Sequence, residues 1–315
     1  MVFTRRHLLK LGGLGSAEMV FARLLPPAPA VSPAPAVLDQ RYLAHGLNVL
    51  CNAHATDAFV AGHAGGAILT AYYLCREEKL EAGTEDVIKG MLDQHYALAA
   101  DPFPEEEPRK DAIEVLLRSM EDRVEQLCRE GHNVIFLALA IKAMHDLPTA
   151  ATPSRIAALE RTIEALAPRI AGKGQIEVPS ATSSFSEFVL DEFLGSTEGG
   201  PGQGFSGHLL THGRAILDLR LLGHETFAKK CLNAFQLAVA RARPRSPRKA
   251  YTEARERREF LRPDGKQYWV RRVAGDMELG HVFKYPYGFF GLRRHSQNQV
   301  LNDVCFENSY RLFRS

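Results

Sequence analysis

The sequence predicts an all-α fold, either an α/α-hairpin toroid or a layered helical bundle, with a small basic β-hairpin insertion. Three observations carry this. From about residue 37 onward, apolar residues recur at the three- and four-residue spacing of one helix face. Amphipathic stretches alternate with stretches that are apolar nearly all round, as outer and enclosed helices of a layered structure must be. The dipeptide Gly-His also recurs, at Gly62-His63, Gly131-His132, Gly207-His208 and Gly280-His281, with intervals of 69, 76 and 73 residues. Chance would supply about one Gly-His pair, and recurrence at a near-constant period marks repeated units.

The elements follow in chain order. Ala64–Cys75, Val134–Met144 and Leu209–Leu222, each just after a Gly-His pair, are apolar on every side and predict buried helices. Residues 111–128 predict an amphipathic helix through Ile113, Leu116, Leu117, Met120, Val124, Leu127 and Cys128, with Gly131 as its stop. Thr152-Pro153-Ser154 starts another, because proline in the first turn gives up an N–H that would be unpaired anyway; Ile156, Leu159, Ile163 and Leu166 form its inner face. In each repeat, glycine is expected to end one helix and histidine to begin the next. Residues 172–207, rich in Ser, Thr and Gly, predict a long loop. Residues 241–275 predict an insertion in which Pro244 and Pro247 block helix and Pro263-Asp264-Gly265-Lys266 turns a hairpin whose second strand includes Gln267-Tyr268-Trp269-Val270.

The 315 residues are 45% hydrophobic and 24% charged, which excludes a disordered main body. A formal net charge of +2 conceals twelve Lys/Arg against four Asp/Glu within 241–272, a local +8 that leaves about −6 for the remainder. At the N-terminus stands Thr4-Arg5-Arg6-His7-Leu8-Leu9-Lys10, followed by a weakly hydrophobic Gly-containing stretch and a Pro/Ala segment with Ala28-Pro29-Ala30 and Ala34-Pro35-Ala36. This resembles a twin-arginine translocation signal. The resemblance implies a signal peptide and linker over 1–36, cleavage near Val37, the twin-arginine translocase as a partner and a periplasmic or secreted protein. Glu18 departs from the uncharged core such signals carry. The leader's apolar run is too short for a spanning helix, so a single soluble α-helical domain over 37–315 is expected. Five widely spaced cysteines include no C-x-x-C, which argues against structural zinc. They are expected as reduced thiols, since that pathway moves folded proteins.

Histidines supply the candidate chemistry. His208 and His212, four apart on a helix, project from one face and could ligate one divalent transition metal, with a third ligand from His63, His132 or His281. Alternatively His63, His132 and His281 act as acid/base groups, for which neutral imidazole is suited near pH 7. Asp57 could orient His54 or cap the helix that follows, and Asp218 could serve as an outer carboxylate. The bland alternative makes the Gly-His pairs helix boundaries of a non-catalytic scaffold or binding protein. Spatial convergence of the four histidines decides between the two.

Known families narrow the choices little. Ser206-Gly207-His208 matches three residues of the vanadium-haloperoxidase pattern, but Phe205 replaces its proline. The Asp-rich motifs of terpene cyclases and the Cys-His-Gly ligand set of lanthionine cyclases are absent. His63–Cys75 with the following helix Thr84–Ala99 resembles, over about forty residues, the helical questin-oxidase-like proteins. The basic insertion, with Tyr251, Tyr268 and Trp269, reads as a surface for an acidic or small-molecule ligand; no nucleic acid is expected for an exported chain.

Overall fold

The computed structural model describes residues 38–197, 206–243, 262–272, 280–303 and 305. They form the helices α1 (Gln40–Cys51), α2 (Ala58–Glu77), α3 (Thr84–His95), α4 (Ala112–Val124), α5 (His132–Asp146), α6 (Pro153–Ala165), α7 (Thr182–Thr197), α8 (Ser206–Leu221), α9 (Glu225–Ala242), α10 (Lys266–Arg272) and α11 (His281–His295). Two short strands, β1 (Leu127–Cys128) and β2 (Arg169–Ile170), pair antiparallel with Leu127 opposite Ile170. The fold is all-α with one small antiparallel pair.

Four helices form the centre: α2, α5, α8 and α11. Each contacts the next, and α11 closes back on α2. Their low amphipathicity is the reason. In α5 every residue from His132 to Ile141 is buried, and in α8 every residue from Ser206 to Leu219. Such helices satisfy their backbone internally and present apolar side chains on all sides, which are driven out of water. The one-sided helices lie around them: α1 and α6 pack on α2 and α5, α4 on α5 and α9, and α7 and α9 on α8. By length and composition α2 could cross a membrane, but 72% of that apolar window is buried inside the protein. The five cysteines stand as thiols, and all but Cys75 are buried.

Local sequence explains the helix starts. Asp39 accepts from the Arg41 N–H at 2.9 Å to cap α1, and Pro153 opens α6 as expected. Three expectations change. Residues 266–272 form α10 rather than a strand. A strand would send Tyr268 and Trp269 to opposite faces, whereas both are buried here; Trp269 stacks on Phe283 with ring centroids 5.7 Å apart and donates from Nε1 to the Pro263 carbonyl. The middle of the 172–207 segment is also not loop, because α7 occupies 182–197. Phe185, Val189 and Phe193 supply a buried stripe, and serine hydroxyls turn back onto the helix, as Ser196 does to the Phe193 carbonyl at 2.7 Å. Lastly, Gly131 does not stop α4. Val124 ends that helix, β1 intervenes, and Gly131 with φ +96° is the cap of α5. The leader 1–36, the glycine run 199–204 and residues 244–261 of the basic insertion lie outside the described residues.

Candidate metal centre

The four repeated histidines meet. His63 lies in the second turn of α2, His132 and His281 are the first residues of α5 and α11, and His208 is the third of α8. Their rings form a closed square with centroid separations of 4.3 Å (His63–His132), 4.9 Å (His132–His208), 5.1 Å (His208–His281) and 5.3 Å (His281–His63). Each offers a ring nitrogen, and these four nitrogens lie within 4.8 Å of one another.

The glycines explain why the rings come so close. A Cβ on Gly62 would stand 2.4 Å from the Phe136 ring, on Gly131 2.2 Å from His212, on Gly207 2.3 Å from Tyr285, and on Gly280 2.2 Å from Ala67. In every case the neighbour sits four residues after the histidine of the next helix: Phe136 after His132, His212 after His208, Tyr285 after His281, Ala67 after His63. Each Gly-His pair therefore packs its glycine against the following helix one turn beyond that helix's own histidine, and the rule repeats around the ring. Only glycine permits this approach. The boundary reading of the repeat holds for half of it. Gly131 and Gly280 are left-handed caps, with φ +96° and +59°, while Gly62 is inside α2 and Gly207 inside α8.

This rule also corrects the pairing of His208 with His212. Four residues along α8, His212 occupies the packing position against Gly131 and its ring meets Phe235 edge-on at 5.3 Å, away from the square. His208 joins the other three histidines instead. Asp57 is likewise outside. Its Oδ1 accepts from the Phe59 and Val60 N–H groups at 2.9 and 3.0 Å, capping α2, and His54 faces the Cys51 carbonyl and receives Arg161. Asp218 binds Arg214 and Tyr287 rather than a ring histidine.

Backbone carbonyls set the tautomers. His63 Nδ1 donates to the Phe59 carbonyl at 2.7 Å, and His132 Nδ1 to the Arg129 carbonyl. The second bond depends on a left-handed run, Arg129 (φ +44°), Glu130 (φ +57°) and Gly131, of which the first two are costly for residues with a Cβ. With Nδ1 committed, Nε2 carries the lone pair. Nε2 of His63, His132 and His281 is buried without a hydrogen-bond partner. Leaving such an atom unsatisfied costs about 1–3 kcal/mol. Burial, with Lys284 next in importance, pushes His63 down to about 2 and lowers His281 far below its ordinary value. Burial and the neighbouring His208 and His63 do the same to His132. The four helices also present their N-terminal halves to the square, where the positive end of the helix dipole opposes protonation. His63, His132 and His281 are therefore neutral, as metal ligands must be.

Sequence reasoning passed over Lys284. One turn after His281 on α11, it is 1% exposed, its Nζ has no hydrogen-bond partner, and burial holds the amine well below the usual lysine range. The signal was a single lysine inside the aromatic run Phe283–Phe290. A narrow cavity beside it is lined by Thr70, Ile135, Leu139, Thr211, Asp218 and Tyr287. On the opposite side, half-buried Phe59 packs edge-on against His63 at 4.3 Å, and the Arg129 guanidinium lies 4.7 Å above its ring. Comparison with protein families, with curated proteins and with solved structures finds no match for this chain.

Proposed function

We propose that this chain is a helical metalloprotein whose His63, His132, His208 and His281 hold one divalent transition metal. The observation that carries the reading is the convergence of four imidazoles from four helices, three of them neutral with Nε2 buried and unpartnered. A metal bonded to nitrogen at about 2.0–2.1 Å in tetrahedral geometry needs ligand atoms about 3.3–3.4 Å apart, and ring rotation is the movement that would close a set already within 4.8 Å. Imidazole suits zinc, copper, iron and nickel, and the two Nδ1–carbonyl bonds are the outer-shell partners that orient metal-binding histidines. Four uncharged ligands leave the ion's charge uncompensated, which favours a small anion or an oxygen-bearing substrate at any remaining position.

Elemental analysis of protein purified without a histidine tag tests this. One transition-metal ion per chain is expected, lost in His132→Ala. The absence of stoichiometric metal, together with an unchanged melting temperature on adding zinc, nickel, cobalt or iron, overturns the reading.

The arrangement of central and surrounding helices supports an α/α toroid as the finer architecture. The Arg5-Arg6 motif supports export through the twin-arginine translocase to the periplasm or beyond, with a mature N-terminus near Val37. Unchanged export of an Arg5→Lys, Arg6→Lys variant would overturn that assignment.

A further inference from the structure

The same four helices meet a second time, at the end away from the histidines. Glu77 is the last residue of α2, about 21 Å along the axis from His63. Its carboxylate takes Lys142 of α5 at 2.9 Å on one oxygen and Arg214 of α8 at 2.8 Å on the other, with Arg294 of α11 at 3.6 Å. Arg294 also donates to the Glu77 carbonyl at 3.0 Å. Arg214 further donates from Nε to Asp218 at 2.8 Å, and Tyr287 of α11 donates its hydroxyl to the other Asp218 oxygen at 2.6 Å. Every helix that supplies a histidine therefore supplies a charged or hydroxyl group to one network. Arg214, Asp218 and Tyr287 are buried. Burial raises the Glu77 carboxyl, but Arg214 and Lys142 outweigh it and keep the group ionised.

Buried ion networks are poor stabilisers, because desolvation cancels most of the attraction. They do have direction, which apolar packing lacks. The glycine contacts fix the register of these helices only at the histidine end, and the apolar contacts along α2 and α5 discriminate weakly between one register and the next, whereas a carboxylate held by three cations adds a second fixed point at the other end. Register matters at the other end. A slip of one residue moves a histidine about 1.5 Å along the axis, and metal–ligand distances tolerate about 0.2 Å.

From this we infer that Glu77, with Arg214, Asp218 and Tyr287, is a positioning network that, together with the glycine contacts at the other end, holds the axial register of the four histidine-bearing helices and thereby the geometry of the metal centre. The inference rests on the tetra-histidine reading. The two fail separately in one experiment, cobalt(II) titration of the full chain followed by the visible absorption bands of the bound ion.

The variants are Glu77→Gln, Tyr287→Phe and, as a control for general destabilisation, Leu159→Ala on α6. Native protein and the control should bind cobalt with equal affinity and the same bands. Glu77→Gln and Tyr287→Phe should bind about 2- to 30-fold more weakly, the range over which remote residues tune a site, with shifted or broadened bands. Tyr287→Phe changes one hydroxyl and carries the test if Glu77→Gln does not fold. Native affinity and native bands in the network variants overturn the inference while leaving the metal site intact. So does an equal loss in Leu159→Ala, which would reduce the network to a general stabiliser. No cobalt bands in native protein would overturn the metal reading, and the inference with it.

Discussion

Lowering the pH of metal-free protein from 7.5 to 5.5 should remove a large part of its stability, and the amount follows from four rings. His63, His132, His212 and His281 are all held far below the ordinary histidine value, His63 at about 2 and His212 at about 3, with burial the largest cause in each. In the folded chain they stay neutral throughout this range; in the unfolded chain they titrate near 6.5. A base with a depressed folded pKa contributes its stability at high pH and loses it as pH falls below the unfolded value, because protons then bind the unfolded state preferentially. Each ring costs about 1.4 kcal/mol over these two units, and the four together about 5.5 kcal/mol, comparable to the whole stability of many domains. Lys284, held below the usual lysine range by burial, works in the same sense as the rings, while Glu78 and Glu130, raised by burial, work in the opposite sense. Glu77 and Asp93, held low, lose their contribution only below the window. Urea denaturation in chelator at pH 7.5, 6.5 and 5.5, followed by circular dichroism, measures the loss. A decrease no larger than one ring's worth would refute the claim that these histidines are buried and neutral. Saturating metal should lift the curve without altering its slope, because the rings are proton-free in the folded state with or without the ion.

Two substitution pairs test the ring's construction. His208→Ala should abolish metal binding, while His212→Ala should retain it and cost about 1–3 kcal/mol as a packing loss, read from metal content and urea midpoint. Gly280→Ala should cost about 1–3 kcal/mol from backbone strain, because its φ is +59° and the new methyl meets Ala67, and should weaken metal binding by displacing His281; Gly90→Ala, with open space around it, should do neither.

The helical class and the four Gly-His positions are legible in the chain alone, because both depend on local spacing. An all-round apolar run has to be enclosed wherever it lies, and a dipeptide that recurs at 69, 76 and 73 residues marks equivalent places in equivalent helices. Where a decision depended on what packs opposite a residue, local spacing misled. His208 and His212 look like a ligand pair on one helix, yet His212 faces the glycine of the preceding unit. Tyr268 and Trp269 read as strand until the shared core beside Phe283 draws both inward. Asp57 and Asp218 looked like partners for histidine, but the nearest donors are backbone N–H groups for one and Arg214 with Tyr287 for the other.

Only the tertiary structure decided which nitrogens meet, because the four rings come from helices some seventy residues apart and their separation depends on axial register. That register is invisible in any single helix. It is held at one end by the four glycine contacts and at the other where Glu77, Lys142, Arg214 and Arg294 come together, residues whose charges read in sequence as ordinary helix surface and which folding places between the helices. Lys284 is the same case in miniature. Its chemistry is written in the chain, but its isolation from water and from every acceptor comes from the three helices packed around α11.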